Sequence, residues 1–252
     1  MHTAKTHETL MPKKQMKLDA RLATVAALIQ SAKHADIGSD HGKLLHFLLS
    51  NRQIEFGIAI EKHQNPFQNS VDALTTYLNR QPVQAEVRLG DGLSMLSVGE
   101  VDSLSICGLG GQAIARILNA NAKRVPERVV IQPNNRPEMI RSWALHGGFR
   151  LMSETIVGDQ REFIVLAFQR TQESKTSENT TQSLSDAAYH GVDVEAGILF
   201  GPLLIKRNDP NLAFQLADEL SYWSQFSQLK PPAARRLRWI KTLLDQNGTK
   251  AI

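Results

Sequence analysis

The chain predicts an α/β fold: a mostly parallel sheet with helices on both faces, a terminal antiparallel hairpin, and a small helical domain at the C-terminus. Three observations predict it. From about residue 17 to 146, short apolar β-branched runs alternate with segments of helical periodicity, the pattern of right-handed βαβ units. Two strand-like runs, about 149–157 and 162–169, follow with only a Gly-Asp turn between them. That leaves no room for a crossover helix, so they pair antiparallel. After a Ser/Thr/Gln/Glu tract at 171–186 the pattern becomes purely helical, and the tract reads as a flexible linker. The expected divisions are an extension at 1–15, a main domain at 16–170, a linker at 171–190 and a helical unit at 191–252.

The elements follow in order. Leu18, Leu22, Val25, Ala26 and Ile29 repeat at helical spacing, giving a helix over about 17–30. A strand at about 33–37 leads into Asp36-Ile37-Gly38-Ser39-Asp40-His41-Gly42, and Leu44 to Leu49 form the next helix. Ile54 to Ile60 is a buried strand ending at Glu61, and Pro66 opens a helix to about Asn79, proline being tolerated in the first turn. Val83–Leu89 and Val101–Cys107 are strands, each followed by glycines, and a helix runs from there to about Ala120. Arg128–Ile131 is a short strand and Pro137–His146 a helix. At the C-terminus a helix is expected over about 211–229, stopped by Pro231-Pro232, and another over 233–246, the two pairing antiparallel. Phe200-Gly201-Pro202 reads as a chain break.

Composition narrows the function classes. The chain has 252 residues, 42% of them hydrophobic and 21% charged, enough for one α/β domain and an appendage. Cys107 is the sole cysteine, so no internal disulfide forms and a reducing cytoplasm is the expected setting. The polar start, MHTAKTHETLMPKKQMK, lacks the apolar run of a signal peptide, and no segment reaches transmembrane length. A net charge of +4 permits a polyanionic partner without requiring one.

The chemistry gathers at strand ends. Asp36, Gly38 and Gly42 follow the Asp-x-Gly-x-Gly-x-Gly spacing of nucleoside-binding turns, with Asp40 in place of the middle glycine. An ordinary glycine-rich turn would look similar. Glu61, however, ends the next strand, where a carboxylate can accept both ribose hydroxyls, and Asp91 ends the third, within LGDGL. Three acids at successive strand ends point to one nucleoside. Gly108-Leu109-Gly110-Gly111-Gln112-Ala113 matches a dinucleotide fingerprint, but the following strand ends in Gln132-Pro133 instead of the acid that fingerprint needs. The glycines read better as a wall against which a flat substrate lies. Gln132, Pro133, Asn134 and Asn135 suit either a nucleobase edge or a common turn. The eight histidines form no metal motif: His41 and His46, five apart, point to different faces. No nucleophile elbow or Walker loop is present. Lys230, Arg235, Arg236, Arg238 and Lys241, interleaved with Trp239 and followed by no acid until Asp245, form either a solvated face over packed tryptophans or a phosphate-tracking surface.

Taken together, LDARL, ADIGSDHGKL, AIEK, RLGDGL, ICGLGG, IQPNN, HGGFR and FGPLLIKRNDP resemble, in order and spacing, the TrmK family of bacterial tRNA (adenine(22)-N1)-methyltransferases over roughly residues 17–220. The resemblance implies a Rossmann-like class I methyltransferase domain with a seven-stranded sheet, a coiled-coil-like C-terminal domain, S-adenosyl-L-methionine as cofactor and S-adenosyl-L-homocysteine as product. It implies that Asp36, Gly38, Asp40, His41 and Gly42 cradle the methionine part, Glu61 and Lys62 the ribose, and Asp91 with Gly92 the adenine. Gly108 and Gly110, within Cys107–Gly111, would replace the Asp/Asn-Pro-Pro-Tyr motif of amino-group methylases, and Gln132, Pro133 and Asn134 would border the target base. The implied partner is tRNA, with no membrane and no metal, acting as a monomer or weak dimer in the cytoplasm. Lys43, where relatives carry tyrosine, joins Arg235, Arg236, Arg238 and Lys241 as an expected RNA contact. Within GDQREF, the stretch just before Glu162-Phe163 also lacks an aromatic that is usual there. Readings left open are methylation of another RNA, a protein or a small molecule, and a non-catalytic RNA-binding protein that keeps the fold.

Overall fold

In a computed structural model, residues 17–39, 41–158, 161–171 and 186–249 are described. Helix α1, Ala20–Leu28, starts later than its periodicity suggests because Asp19 caps it, accepting from the Leu22 N–H at 2.7 Å. Strand β1 (Lys33–Ile37) and helix α2 (Lys43–Ser50) follow, then β2 (Phe56–Glu61), α3 (Gln64–Leu78) and β3 (Ala85–Leu89). Ile54 and Val83, expected inside strands, lie just before them. Next come β4 (Ser103–Leu109), α4 (Gly111–Ala120), β5 (Arg128–Pro133) and α5 (Pro137–His146), and the chain closes the sheet with β6 (Phe149–Val157) and β7 (Phe163–Arg170).

The seven strands lie in the order β3-β2-β1-β4-β5-β7-β6. β1 to β5 are parallel, and β7 runs antiparallel between β5 and β6. Central strands β1 and β2 are buried along nearly their whole length because helices cover both faces, whereas β6, at the edge, alternates between buried and exposed residues. Ile114 and Leu118 of α4 and Ile140 and Ala144 of α5 fill one face. Val25 and Ala26 of α1, with Leu44, Leu45 and Leu48 of α2 and Leu74 of α3, fill the other.

Beyond Asp186 the structure departs from expectation. The Phe200-Gly201-Pro202 break separates two helices that periodicity did not reveal, α6 (Val194–Phe200) and α7 (Pro202–Lys206). Helix α8 (Pro210–Trp223) ends six residues short of Leu229, and α9 spans Pro231–Thr249. The chain between them must reverse direction: Arg236 of α9 meets Glu219 of α8, while Leu243 shares a small cavity with Leu212, so the pair is antiparallel. These helices have a core of their own, built on Phe200, Leu204, Leu216, Ile240 and Leu243, which reaches the sheet through Ile156. Of the described residues, no helix is long and apolar enough to cross a membrane.

Candidate active site

A cleft of about 620 Å³ opens at the carboxyl ends of β1, β2 and β3, walled on its other side by α4. It sits where the strand order reverses between β1 and β4, the place where open α/β sheets receive ligands. Glu61 lines it, 3% exposed, and the Ser70 hydroxyl of α3 donates to its Oε1 at 3.0 Å. Lys62 and Asp91 both line the rim and pair at 3.0 Å, with both side chains largely exposed. Gly38 stands at φ +67°, and a Cβ there would meet nothing nearer than Leu109 Cδ1 at 4.0 Å, so a side chain would project into open cleft. Gly92, at φ +56°, leaves room for Ile117, whose Cγ2 would lie 3.0 Å from an added Cβ. Ile37, Leu93, Leu109 and Ile117 make the wall apolar.

Asp36 does not line this cleft, which corrects the expectation of three converging acids. Its side chain, 3% exposed, accepts from the Ser105 hydroxyl of β4 at 2.5 Å. The Ser105 Oγ lies 2.9 Å from His34 Nε2, His34 Nδ1 lies 2.6 Å from Ser103 Oγ, and Ser103 Oγ lies 2.6 Å from Ser31 Oγ. With Ser105 donating to Asp36, His34 must donate from Nε2 and accept at Nδ1, so one carboxylate orients the whole row. Burial raises the Asp36 carboxyl above its ordinary range, an effect opposed by the Ser105 hydrogen bond, the neighbouring Ser39 hydroxyl and the nearby Arg21 charge. Burial also lowers His34 from 6.5 to about 3. The unfolded chain therefore binds a proton at His34 between pH 6.5 and 3 that the folded chain does not, so stability falls as pH falls through that window. Asp36, raised when folded, acts in the opposite sense above its ordinary value. Acid titration of the unfolding free energy of His34→Gln should be flatter than wild type by about 1–2 kcal/mol at pH 5; an identical slope would refute a neutral buried His34.

Beside the cleft, β4 ends in the glycine wall. Gly108 takes φ +76° at a β-bulge between Cys107 and Leu109. Gln132, expected to touch substrate, is instead fully buried. Its Oε1 accepts from Arg21 Nη1 at 2.6 Å and from the Gly108 N–H at 3.2 Å, and its Nε2 donates to Pro133 O at 3.0 Å. It braces the wall, and Pro133 is buried with it. Asn134 is exposed, its Nδ2 donating to Gly108 O at 2.5 Å, so it stands at the surface facing solvent. The Cys107 thiol is pushed well up, first by burial and then by the Asp36 charge, which makes it a poor nucleophile. Arg21 was missed as a site residue. It reaches across from α1 to Gln132 and lies 5.7 Å from the Phe163 ring centre; the only sequence signal was its place within LDARL.

A family model for tRNA (adenine(22)-N(1))-methyltransferase, TrmK, matches residues 34–244. The chain belongs to the TrmK family. It is 33% identical over 227 residues to the Bacillus subtilis tRNA (adenine(22)-N(1))-methyltransferase, covering 85% of this chain and 87% of that one. The crystal structure of the B. subtilis m1A22 tRNA methyltransferase TrmK superposes with a TM-score of 0.78 at 30% identity, over 90% of this chain and 99% of that one. Sp1610 of Streptococcus pneumoniae, solved in complex with S-adenosyl-L-methionine, superposes with a TM-score of 0.72 at 28% identity, over 89% and 98%.

The cleft fits the TrmK cofactor, S-adenosyl-L-methionine. Its volume lies in the range of small-ligand sites, a buried carboxylate stands in an apolar wall, and Gly38 leaves the floor open. Other TrmK candidates lie elsewhere. His41 and Gly42 adopt left-handed backbone before α2 and do not line the cleft; an added Gly42 Cβ would face Leu74 and Ser70 of α3 at van der Waals distance. Asp40 is outside the described residues. Lys43 is exposed at the start of α2. Arg236, expected to meet RNA, is engaged within the protein: Nε and Nη2 pair with Glu219, the latter at 2.8 Å, and its guanidinium stacks over Phe200 at 4.5 Å. Burial pushes the Glu219 carboxyl up, yet Arg236 and Trp223 hold it lower on balance. Arg235 reaches Glu195 at 3.4 Å on the surface, and Trp239 donates to the same carboxylate at 3.1 Å. Arg238 and Lys241 remain exposed.

Proposed function

We propose that this chain binds S-adenosyl-L-methionine in the β1–β3 cleft and transfers its methyl group to N1 of adenine 22 of a tRNA. One observation carries the reading: the family match spans residues 34–244 and so includes every residue lining the cleft. When bound, the cofactor supplies a methyl group on an electron-poor sulfur. Glu61, fixed from behind by Ser70, accepts the ribose hydroxyls, and the Lys62–Asp91 pair closes the rim over the adenine. Gly38 and the Leu109 wall let the reacting end approach the backbone. Asn134 and Gly110 border the incoming base, while Gln132, held by Arg21, keeps that border rigid. Adenine N1 already carries a lone pair, so the protein's contribution is orientation and exclusion of water. Positioning of this kind contributes up to about 7–11 kcal/mol, and the base must first leave its stack, at roughly a few kcal/mol.

Two separate cores, one around the sheet and one around α6 to α9, support a division into a methyltransferase domain and a helical domain. A tRNA substrate with a single cysteine supports a cytoplasmic setting. The test is titration calorimetry with S-adenosyl-L-methionine, followed by mass spectrometry of nucleosides from methylated tRNA. Saturable binding and 1-methyladenine are expected. Binding without 1-methyladenine would point to another acceptor, and no binding at all would refute the enzyme reading.

A further inference from the structure

We propose that a second depression, next to the cofactor cleft, seats a phosphodiester of the substrate RNA between Arg116 and Arg136. The inference rests on the tRNA reading above and names residues that it leaves unassigned. The depression, about 640 Å³, is lined by Gly110, Gln112, Ala113, Arg116, Asn135 and Arg136. Ala113 and Arg116 also line the cofactor cleft, so the two hollows share one wall on α4. Two guanidinium groups line it and no carboxylate does. None of the ion pairs among the described residues involves Arg116. Arg136 meets Glu138 only at 3.5 Å, on the surface.

The backbone adds an independent observation. Arg136 sits at φ 51°, ψ 49°, a left-handed conformation that glycine adopts freely and a residue with a Cβ adopts at a cost. Packing fixes it there: the Gly111 N–H donates to Asn135 O at 3.1 Å, and a Cβ on Gly111 would come within 2.4 Å of Arg136 O. The fold thus holds an arginine where glycine would be relaxed, and strained residues held by their surroundings mark functional positions. Guanidinium groups match phosphate oxygens in a planar fork. A nucleotide whose base passes Gly110 toward the cofactor carries a phosphodiester on either side of that base. The adjoining cationic hollow is where such a group meets compensating charge.

Methylation kinetics with an unmodified tRNA transcript carrying adenine 22, at several salt concentrations, test this. Arg116→Gln and Arg136→Gln should each raise the tRNA KM about 3- to 10-fold and lower the slope of log KM against log salt by about 0.7–0.9. Arg136→Gly should raise KM as much as Arg136→Gln without lowering the thermal midpoint, separating loss of the cation from damage to the turn. Cofactor affinity in the Arg136 variants should match wild type. A double Gln variant with wild-type KM and salt slope, beside a wild-type chain that makes 1-methyladenine, overturns the proposal alone. Loss of cofactor affinity in the Arg136 variants also overturns it, since the hollow would then belong to the cofactor site. A wild-type chain that makes no 1-methyladenine in tRNA overturns the functional reading and this inference with it.

Discussion

Glu61→Ala is expected to weaken S-adenosyl-L-methionine binding about 30- to 150-fold, a loss of about 2–3 kcal/mol. Two hydrogen bonds from ribose hydroxyls to a buried carboxylate are charge-assisted, and each is worth more than a neutral one. The β2 end does not depend on the side chain, because the Gly90 N–H donates to Glu61 O at 2.8 Å and holds the backbone. Glu61→Gln keeps the shape and one acceptor, so an intermediate loss is expected. Calorimetry measures both, with the thermal midpoint as control for folding. Affinity within about twofold of wild type in Glu61→Ala would remove the ribose role and move the cofactor elsewhere in the cleft.

Glu154→Leu is expected to lower the unfolding free energy by about 3–5 kcal/mol. Arg141 of α5 and Glu154 of β6 pair at 2.6 Å with both side chains 0% exposed. The Glu154 Oε2 also accepts from the Leu203 and Leu204 N–H groups at 3.2 and 3.4 Å, and Arg141 Nη1 donates to Ile198 O and Leu199 O at 3.0 and 3.3 Å. The pair thus joins the sheet to both ends of the α6–α7 break. At Gly201, φ +103°, an added Cβ would lie 2.6 Å from the Glu154 carboxylate, which is why that break needs glycine. Removing one partner leaves a buried uncompensated charge, whereas replacing both with leucine should recover most of the loss. Denaturant unfolding of the two single variants and the double variant checks this. A single-variant loss below about 1 kcal/mol, the size of an ordinary substitution, would show that the pair is not what fastens the helices.

Much of the sheet was legible because its strands are continuous apolar runs punctuated by glycine and acid. The hairpin was legible because a Gly-Asp turn admits no crossover. Glu61 and Asp91, which line the cleft, were singled out by the same logic, since a ligand crevice must lie at strand ends. Helices α6 and α7 escaped notice because each is too short, at seven and five residues, for a helical period to show. The end of α8 at Trp223 was hidden because nothing in SQFSQLK forbids a helix. The need to bring α9 back against α8 ended it there.

By itself, the order of residues determined which side chains stand at the carboxyl ends of β1 to β5, because strand ends are set by local patterning. Only the tertiary structure decided which of them face the cleft. Parallel register sets Asp36 beside Ser105 and Cys107 beside Gln132, and the bulge at Gly108 shifts the pairing so that Leu109 meets Pro133. A shift of one residue turns a side chain to the other face. That is how Asp36 and Gln132 came to be buried braces, while Glu61 lines the cleft and Asn134 stands exposed at the surface.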